Sequence, residues 1–187
     1  MIGYAICGSF CTIRASLCAL SELCARGEDV LPILSEHAYS MDTRFISSEE
    51  LIKSVRDITG HEPVHTIVDA EPLGPSKPLS ELIISPCTGN TLAKIASGIT
   101  DTSVTMAAKA HLRSDRPLLI ALASNDSMSQ NLGNIAKLLV RRSVYFVPMR
   151  QDDPIGKPHS LVSDISSVVS CFYDMRDGKM KRPLFIS

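Results

Sequence analysis

Short apolar runs, each stopped by small polar residues and followed by a segment with helical spacing, recur along the whole chain. Met1 to Cys7 is apolar and ends at Gly8, which predicts a buried strand closed by a glycine turn. Ile13, Leu17, Leu20 and Cys24 then recur at three- and four-residue spacing from Thr12 to Arg26, with Gly27 as the stop, and predict a helix. Asp29 to Leu34 reads as a second strand. Strand, helix and strand in that order predict a right-handed crossover and a parallel sheet.

The alternation continues. Ser47-Ser48-Glu49-Glu50 supplies a cap and an acidic first turn for a helix through Leu51, Ile52, Val55 and Ile58, closed by Gly60. Glu71 to Pro78 holds three prolines and a glycine and predicts a loop, followed by a strand over Glu81 to Ser85. Helices are predicted over Thr91 to Gly98 and Ser103 to Arg113, a strand over Pro117 to Ala123, and a helix over Ser127 to Arg142 with Leu132, Ile135, Leu138 and Leu139 inward. Ser143 to Val147 reads as the last strand, Gln151 to Pro158 as a loop, and Leu161 to Tyr173 as a closing helix. At least five strands alternating with helices define an α/β fold, an open doubly wound parallel sheet of the Rossmann-like or flavodoxin-like kind, in a single domain over residues 1–187.

Composition narrows the function. Nineteen basic against twenty acidic side chains give a net charge of −1 with no long block of either sign, so nucleic acid is not expected as a partner. Absent Trp and 5% aromatics argue the same for single strands. The longest apolar stretch, Pro117 to Ala123, falls far short of the 18 or so residues of a membrane span. With no basic leader before the first strand, the chain is expected to start at residue 1 and to work in the cytoplasm. Cys7, Cys11, Cys18, Cys24, Cys87 and Cys171 are then expected as thiols, and their spacing suggests no metal site.

The residues just past each strand carry the chemical signal. They read Gly8-Ser9-Phe10-Cys11-Thr12, Ser35-Glu36, Pro86-Cys87-Thr88-Gly89-Asn90-Thr91 and Ser124-Asn125-Asp126-Ser127. Any one of these serves equally as an ordinary turn or cap. Four at one sheet edge, where helix N-termini offer N–H groups and a positive dipole end, point to a phosphorylated ligand. The G-x-G-x-x-G and G-x-x-x-x-G-K-S/T patterns are missing, so a mononucleotide-type cofactor such as FMN fits better than a dinucleotide or a P-loop nucleotide.

"SPCTGNTLAKIASGITD", Ser85 to Asp101, closely resembles the flavin-binding segment of the flavoprotein family that contains phosphopantothenoylcysteine decarboxylase, the lantibiotic cysteine decarboxylases and the prenyl-flavin transferases. "RPLLIALASNDSMSQN" resembles the family's later Pro-Ala-Met-Asn segment. The runs "MDTRF", "DAEPLGP", "TGNTLAKIA", "TDTSVTMAAKAHLRSDRP", "SNDSM" and "VPMRQDDPIGKPHSLV" resemble one branch of the family and spread over most of the chain.

What the resemblance implies is FMN held by Gly8, Ser9, Thr12 and Ser35 at its phosphate and ribityl chain and wrapped by Pro86, Thr88, Gly89, Asn90 and Thr91. Ser124 and Asn125 would lie near the isoalloxazine ring, with Asn125 in the catalytic role of holding a substrate carboxylate. Lys94, one helix turn on, reads as a solvated lysine. The branch implies a subunit in the last step toward the calcium-chelating pyridine dicarboxylate of bacterial endospores, in the mother cell of a sporulating bacterium. Its partner would be a dehydrogenase-like subunit carrying NAD or NADP. Either a flavin or a nicotinamide can accept the hydride that such an oxidation releases. Family members bury the flavin between subunits, which implies a trimer-based homo-oligomer. Two alternatives stand beside this reading: an FMN-dependent decarboxylase of a cysteine-containing substrate, and a non-catalytic subunit that stabilises its dehydrogenase partner.

Two departures bear on the decarboxylase alternative. The decarboxylases place a catalytic histidine in the segment that here reads Glu71 to Pro78 and contains none, and their Pro-Ala-Met-Asn reads Leu122-Ala123-Ser124-Asn125. His65 and His111 lie outside that segment and read as surface or helix residues. A dicarboxylate substrate needs cations, and Arg44, Lys109, Arg113 and Arg116 are candidates, with Lys109 and Arg113 on one helix face. For that pair a solvated face is an equal reading. Asp152 and Asp153 before Pro154 read as an exposed turn, or as a segment that docks the partner or closes over the site.

Overall fold

The computed structural model describes residues 1–74, 76 and 79–187. In chain order the elements are β1 (Ile2–Ile6), α1 (Ile13–Ala25), β2 (Val30–Leu34), α2 (Glu36–Ser40), α3 (Ser48–Thr59), α4 (Ile67–Ala70), β3 (Leu82–Cys87) and α5 (Gly89–Ser97). They continue with α6 (Ser103–Leu112), β4 (Leu118–Ser124), α7 (Gln130–Leu139), β5 (Val144–Phe146), β6 (Met149–Arg150), β7 (Leu161–Ser163) and α8 (Val168–Arg176). A 3₁₀ turn over Phe10–Thr12 leads into α1.

Strands β2, β1, β3, β4 and β5 lie side by side in that order, all parallel, with registers such as Ile2 against Val30, Gly3 against Leu82, and Leu118 against both Leu82 and Val144. Alternation along each strand divides the core. Ile2, Tyr4, Ile6, Ile83, Leu119 and Ala121 pack with the inner faces of α1, α3 and α8. Ala5, Cys7, Leu82, Ile84, Leu118, Ile120 and Leu122 pack on the other face with α5, α6 and α7. Apolar side chains on both faces are what a parallel sheet requires. The Tyr4 hydroxyl donates to the Ser16 carbonyl at 2.9 Å, and the Ser16 hydroxyl donates to the Ser85 carbonyl, so α1 is fixed to β1 and β3 from inside. Burial pushes the Tyr4 hydroxyl up to about 12.

Local chemistry sets the helix ends as the sequence implies. Ser47 caps α3 by accepting from the Glu50 N–H at 3.1 Å, and Gly60 ends it in the left-handed region at φ 73°. Three expectations need correction. Leu161 to Tyr173 is not one helix: Leu161–Ser163 is a strand paired antiparallel with β6 and with the end of β4, Ala123 opposite Val162, and only Val168–Arg176 is α-helical. Ser143 to Val147 is therefore not the last strand. The pattern Leu161 buried, Val162 half-buried, Ser163 buried is too short for periodicity to separate strand from helix. Leu132 faces solvent at 45% exposure, because α7 packs through Asn131, Ile135 and Leu138. The predicted loop at Glu71 to Pro78 opens as a 3₁₀ turn over Glu71–Leu73 after α4, and residues 75, 77 and 78 lie outside the described residues.

Candidate functional site

In the order β2-β1-β3-β4-β5 the chain reverses its direction of winding between β1 and β3, and a parallel sheet opens a crevice at the carboxyl ends of such a pair. A cleft of about 490 Å³ lies there, a volume typical of small-molecule sites. Gly8, Ser9, Phe10, Cys11 and Thr12 line it from the end of β1, Thr88 and Gly89 from β3, and Ala123, Ser124 and Asn125 from β4. Arg44 and Phe45 close it from the loop before α3, and Asp152, Lys157 and Val162 from the β6–β7 ribbon.

Each wall is held by its own hydrogen bonds. The Thr12 hydroxyl donates to the Ser9 carbonyl at 2.8 Å and to the Ser9 hydroxyl at 3.2 Å, which ties the first turn. Thr88 caps α5 by accepting from the Thr91 N–H at 3.2 Å and donating to the Thr91 hydroxyl at 3.0 Å. The N–H groups of Gly89 and Asn90, at the start of the helix, have no acceptor within it, and helix-start N–H groups of this kind favour an anion. Gly89 lets the start of α5 abut the turn after β4: a Cβ there would fall on the Ser124 hydroxyl, the Asn131 amide and the Asp126 carboxylate. That carboxylate accepts from the Ser124 hydroxyl at 2.5 Å and from Asn131 Nδ2 at 2.9 Å, and these bonds hold Asp126 below the usual carboxylate range.

Two cations reach the cleft. The Arg44 guanidinium lies 4.7 Å from the centre of the Phe45 ring, a cation–π contact. Lys157 is paired with Asp152 at 3.0 Å, and Asp152 also accepts from the Ser160 hydroxyl at 2.6 Å. The Ser160 bond first, then Lys157, keep Asp152 below its ordinary range. Phe10, Phe45 and Val162 add apolar surface beside these polar groups.

Of the residues singled out in the sequence, Gly8, Ser9, Thr12, Thr88, Gly89, Ser124, Asn125 and Arg44 meet in this cleft. Ser35, Pro86, Asn90 and Thr91 stand around it without lining it. Ser35 caps α2 through Ala38 and donates its N–H to the Ile6 carbonyl, Pro86 is buried and accepts from the Cys7 N–H at 3.0 Å, Thr91 is buried under Thr88, and Asn90 is exposed. Lys109 and Arg113 do not join them. They line a separate hollow of about 200 Å³ with Arg141 and Thr105, at the end of α6 that precedes β4, away from the carboxyl ends of the strands. The ends of α5, α6 and α7 converge there, and cations at helix C-termini satisfy the negative dipole ends and terminal carbonyls. Spacing placed Lys109 and Arg113 on one face, but could not tell which end of the sheet that face serves. Arg116 donates to the Leu79 carbonyl at 2.9 Å, Lys94 pairs with Asp101 at 2.8 Å, His65 stacks on Tyr39, and His111 is buried against the Pro117 carbonyl. Among the described residues, which include all five histidines, no histidine lines the cleft. Sequence reasoning gave no role to Phe10, Cys11, Phe45, Lys157 or Val162; for Lys157 the available signal was its place in the run Val147 to Val162.

Among the described residues no group of three or more His, Cys, Asp or Glu converges as a metal site, and no helix is long and apolar enough to cross a membrane.

A doubly wound parallel sheet with hydroxyl, glycine and helix-start groups gathered at its switch point defines an α/β protein of the flavodoxin-like class. A sequence model of the family described as Flavoprotein matches residues 1–183, and the chain belongs to that family. It is 40% identical over 162 residues to the B subunit of dipicolinate synthase from Bacillus subtilis (strain 168), spanning 87% of this chain and 81% of that protein. It superposes on the crystal structure of the dipicolinate synthase B subunit from Bacillus halodurans C with a TM-score of 0.90 and 34% identity, over 100% of this chain and 95% of that one. The FMN-dependent cysteine decarboxylase SpaF shares the fold at a TM-score of 0.66 and 22% identity, over 90% of this chain and 92% of that one.

Proposed function

We propose that this chain is the B-type subunit of a dipicolinate synthase that holds FMN in the β1–β3 cleft. With the A-type partner of that synthase, which carries NAD or NADP, it takes part in oxidising a dihydropyridine dicarboxylate, derived from 4-hydroxytetrahydrodipicolinate, to dipicolinic acid in the mother cell of a sporulating bacterium. The observation that carries the reading is the convergence, in one cleft at the switch point, of hydroxyls and helix-start N–H groups with the cations Arg44 and Lys157. The similarity to the B subunits of two Bacillus species supports it.

The residues present fit the cofactor. The α5 start is brought against the β4 turn by Gly89, and its N–H groups with the Ser9 hydroxyl supply donors for a phosphate and a polyol chain, while the Thr12 and Thr88 hydroxyls spend their protons on Ser9 and Thr91 and hold those walls in shape. Ser35, Pro86 and Thr91 brace those walls from behind, and Asn90 stands exposed at the start of α5. Phe10, Phe45 and Val162 offer apolar contact to a planar ring and exclude water from it. When bound, the flavin supplies a two-electron acceptor. Arg44 and Lys157 would grip the two substrate carboxylates, with Asn125 donating to one of them. A decarboxylase reading has less support, since its histidine has no counterpart among the residues lining the cleft. The active form is a homo-oligomer built on trimers.

Purified protein mixed with FMN and passed through a desalting column is expected to emerge yellow. Turnover of 4-hydroxytetrahydrodipicolinate is expected to require both the A-type and B-type chains, and light scattering to give a multiple of three copies of this one. Protein that emerges colourless, or that makes no dipicolinate with its A-type partner, overturns the reading.

A further inference from the structure

Aromatising a dihydropyridine removes two ring hydrogens, one as hydride and one as a proton, and the proton needs an acceptor in the cleft. The usual acceptor, histidine, does not line it. Asp152, the carboxylate in its lining, is held in its charged form by the Lys157 ammonium and by Ser160. Ser124 differs. An ionised carboxylate only accepts hydrogen bonds, so the proton shared at 2.5 Å between Ser124 and Asp126 belongs to the serine. With its hydrogen turned to Asp126, the Ser124 hydroxyl presents lone pairs to the rest of its surroundings, and Ser124 lines the cleft.

The turn is built to keep that arrangement. Asp126 Oδ1 also accepts from Asn131 Nδ2 at 2.9 Å, and buried Asn131 accepts in turn from Asn134 Nδ2 at 3.0 Å. The Asp126 carbonyl accepts from the N–H and hydroxyl of Ser129 at 3.1 and 3.0 Å, and the Ser127 hydroxyl donates to the Ser124 carbonyl at 3.3 Å. The start of α5 at Gly89 lies against the same carboxylate, where a negative charge is favoured.

Resting on the function proposed above, we infer that Ser124 and Asp126 form the proton exit of the oxidation. A ring C–H or N–H bond breaks, its electron pair stays to complete the aromatic ring, and the proton passes to Ser124 Oγ. The Ser124 proton moves at the same time to the Asp126 carboxylate. The second ring hydrogen leaves with its electron pair as hydride to the flavin or nicotinamide oxidant. Ser124 is the catalytic residue of the pair, and Asp126 acts through it as a positioning residue that passes the proton on to the solvent to which it is exposed.

The test uses FMN-loaded protein mixed with its A-type partner, comparing wild type, Ser124→Ala, Asp126→Asn and Asp126→Glu. Three quantities are read: kcat for dipicolinate formation, FMN uptake by fluorescence quenching, and dipicolinate affinity by calorimetry. Removing a general base costs about 100-fold or more in rate, so kcat is expected to fall by that order in Ser124→Ala and Asp126→Asn, while FMN uptake and dipicolinate affinity stay within about threefold. Asp126→Glu, which restores a carboxylate, is expected to recover part of the rate. A variant of either residue that keeps more than about a tenth of kcat, or loses FMN or dipicolinate binding in step with its rate, overturns the inference. An Asp126→Glu protein no faster than Asp126→Asn does so too. Wild-type protein that makes no dipicolinate at all would instead sink the underlying functional reading, a result distinct from these.

Discussion

Gly89, in the wall of the cleft, and buried Asn131 lie so close that a carbon added to Gly89 would fall 2.6 Å from Asn131 Nδ2. Helix propensity by itself favours alanine over glycine by about 0.5–1 kcal/mol inside a helix. The contact reverses the sign here. Gly89→Ala is expected to destabilise the fold by about 1–3 kcal/mol, the cost of overpacking a close contact, and to weaken FMN binding by pushing the start of α5 and its N–H groups out of place. Urea unfolding and flavin fluorescence read the two effects, and a stabilised variant with unchanged affinity would contradict the account.

Arg44 and Lys157 line the cleft, whereas Lys109 and Arg113 line the hollow at the other end of the sheet. A hydrogen bond to a charged group contributes about 1.5–3 kcal/mol, so Arg44→Ala and Lys157→Ala should each weaken dipicolinate affinity by about 10- to 100-fold. Lys109→Ala and Arg113→Ala should leave it unchanged. Titration calorimetry of the four variants decides this, and equal losses across all four would remove the distinction between the two sites.

Acid should loosen the protein through identifiable carboxylates. Arg176 forks onto Glu28 at 2.6 and 2.8 Å and holds it below the ordinary glutamate value of 4.5, as Ser124 does for Asp126 and Ser160 for Asp152. Groups with depressed folded values contribute their stability in full above the ordinary carboxylate range and lose it as the pH falls through the folded values. Stability at pH 7 should therefore match that at pH 6 as far as these carboxylates are concerned, and decline below about pH 4.5. Arg176→Met should make that decline shallower, since Glu28 then titrates nearly alike folded and unfolded. Urea midpoints from pH 7 to pH 3 provide the check.

Cys11 is exposed and lines the cleft, and Cys18 is exposed outside it. Cys7 is buried beneath the cleft, and that burial pushes its thiol up to about 11. At pH 8, iodoacetamide should modify Cys11 and Cys18 well before Cys7, Cys87 or Cys171, and FMN should slow the labelling of Cys11 alone. Peptide mass spectrometry follows each site. Unchanged labelling of Cys11 in the presence of FMN would argue against a flavin in this cleft.

Much of the cleft's lining was legible because local chemistry wrote it. Glycine stops, threonine and serine caps, and apolar runs with helical segments between them depend on neighbours in sequence, so Gly8, Thr12, Thr88, Gly89 and Ser124 could be found at strand ends before any fold was known. Where Lys109 and Arg113 would lie was not legible, for the complementary reason. Their spacing states a shared helix face, but a cation looks the same in sequence whether it answers a ligand or a helix C-terminus.

By itself the sequence determined the alternation of strands and helices, and with it the parallel sheet and the edge where a ligand would sit, because periodicity and turn chemistry act over a few residues. Only the tertiary structure decided which side chains share that edge. It folded the two- and three-residue strands of the β6–β7 ribbon back onto the end of β4, bringing Lys157 to Arg44's cleft, and it pressed Gly89 against Asn131 and Asp126. Those contacts join residues far apart in the chain, and their free energy comes from burial and pairing that exist only once the sheet has closed around its core.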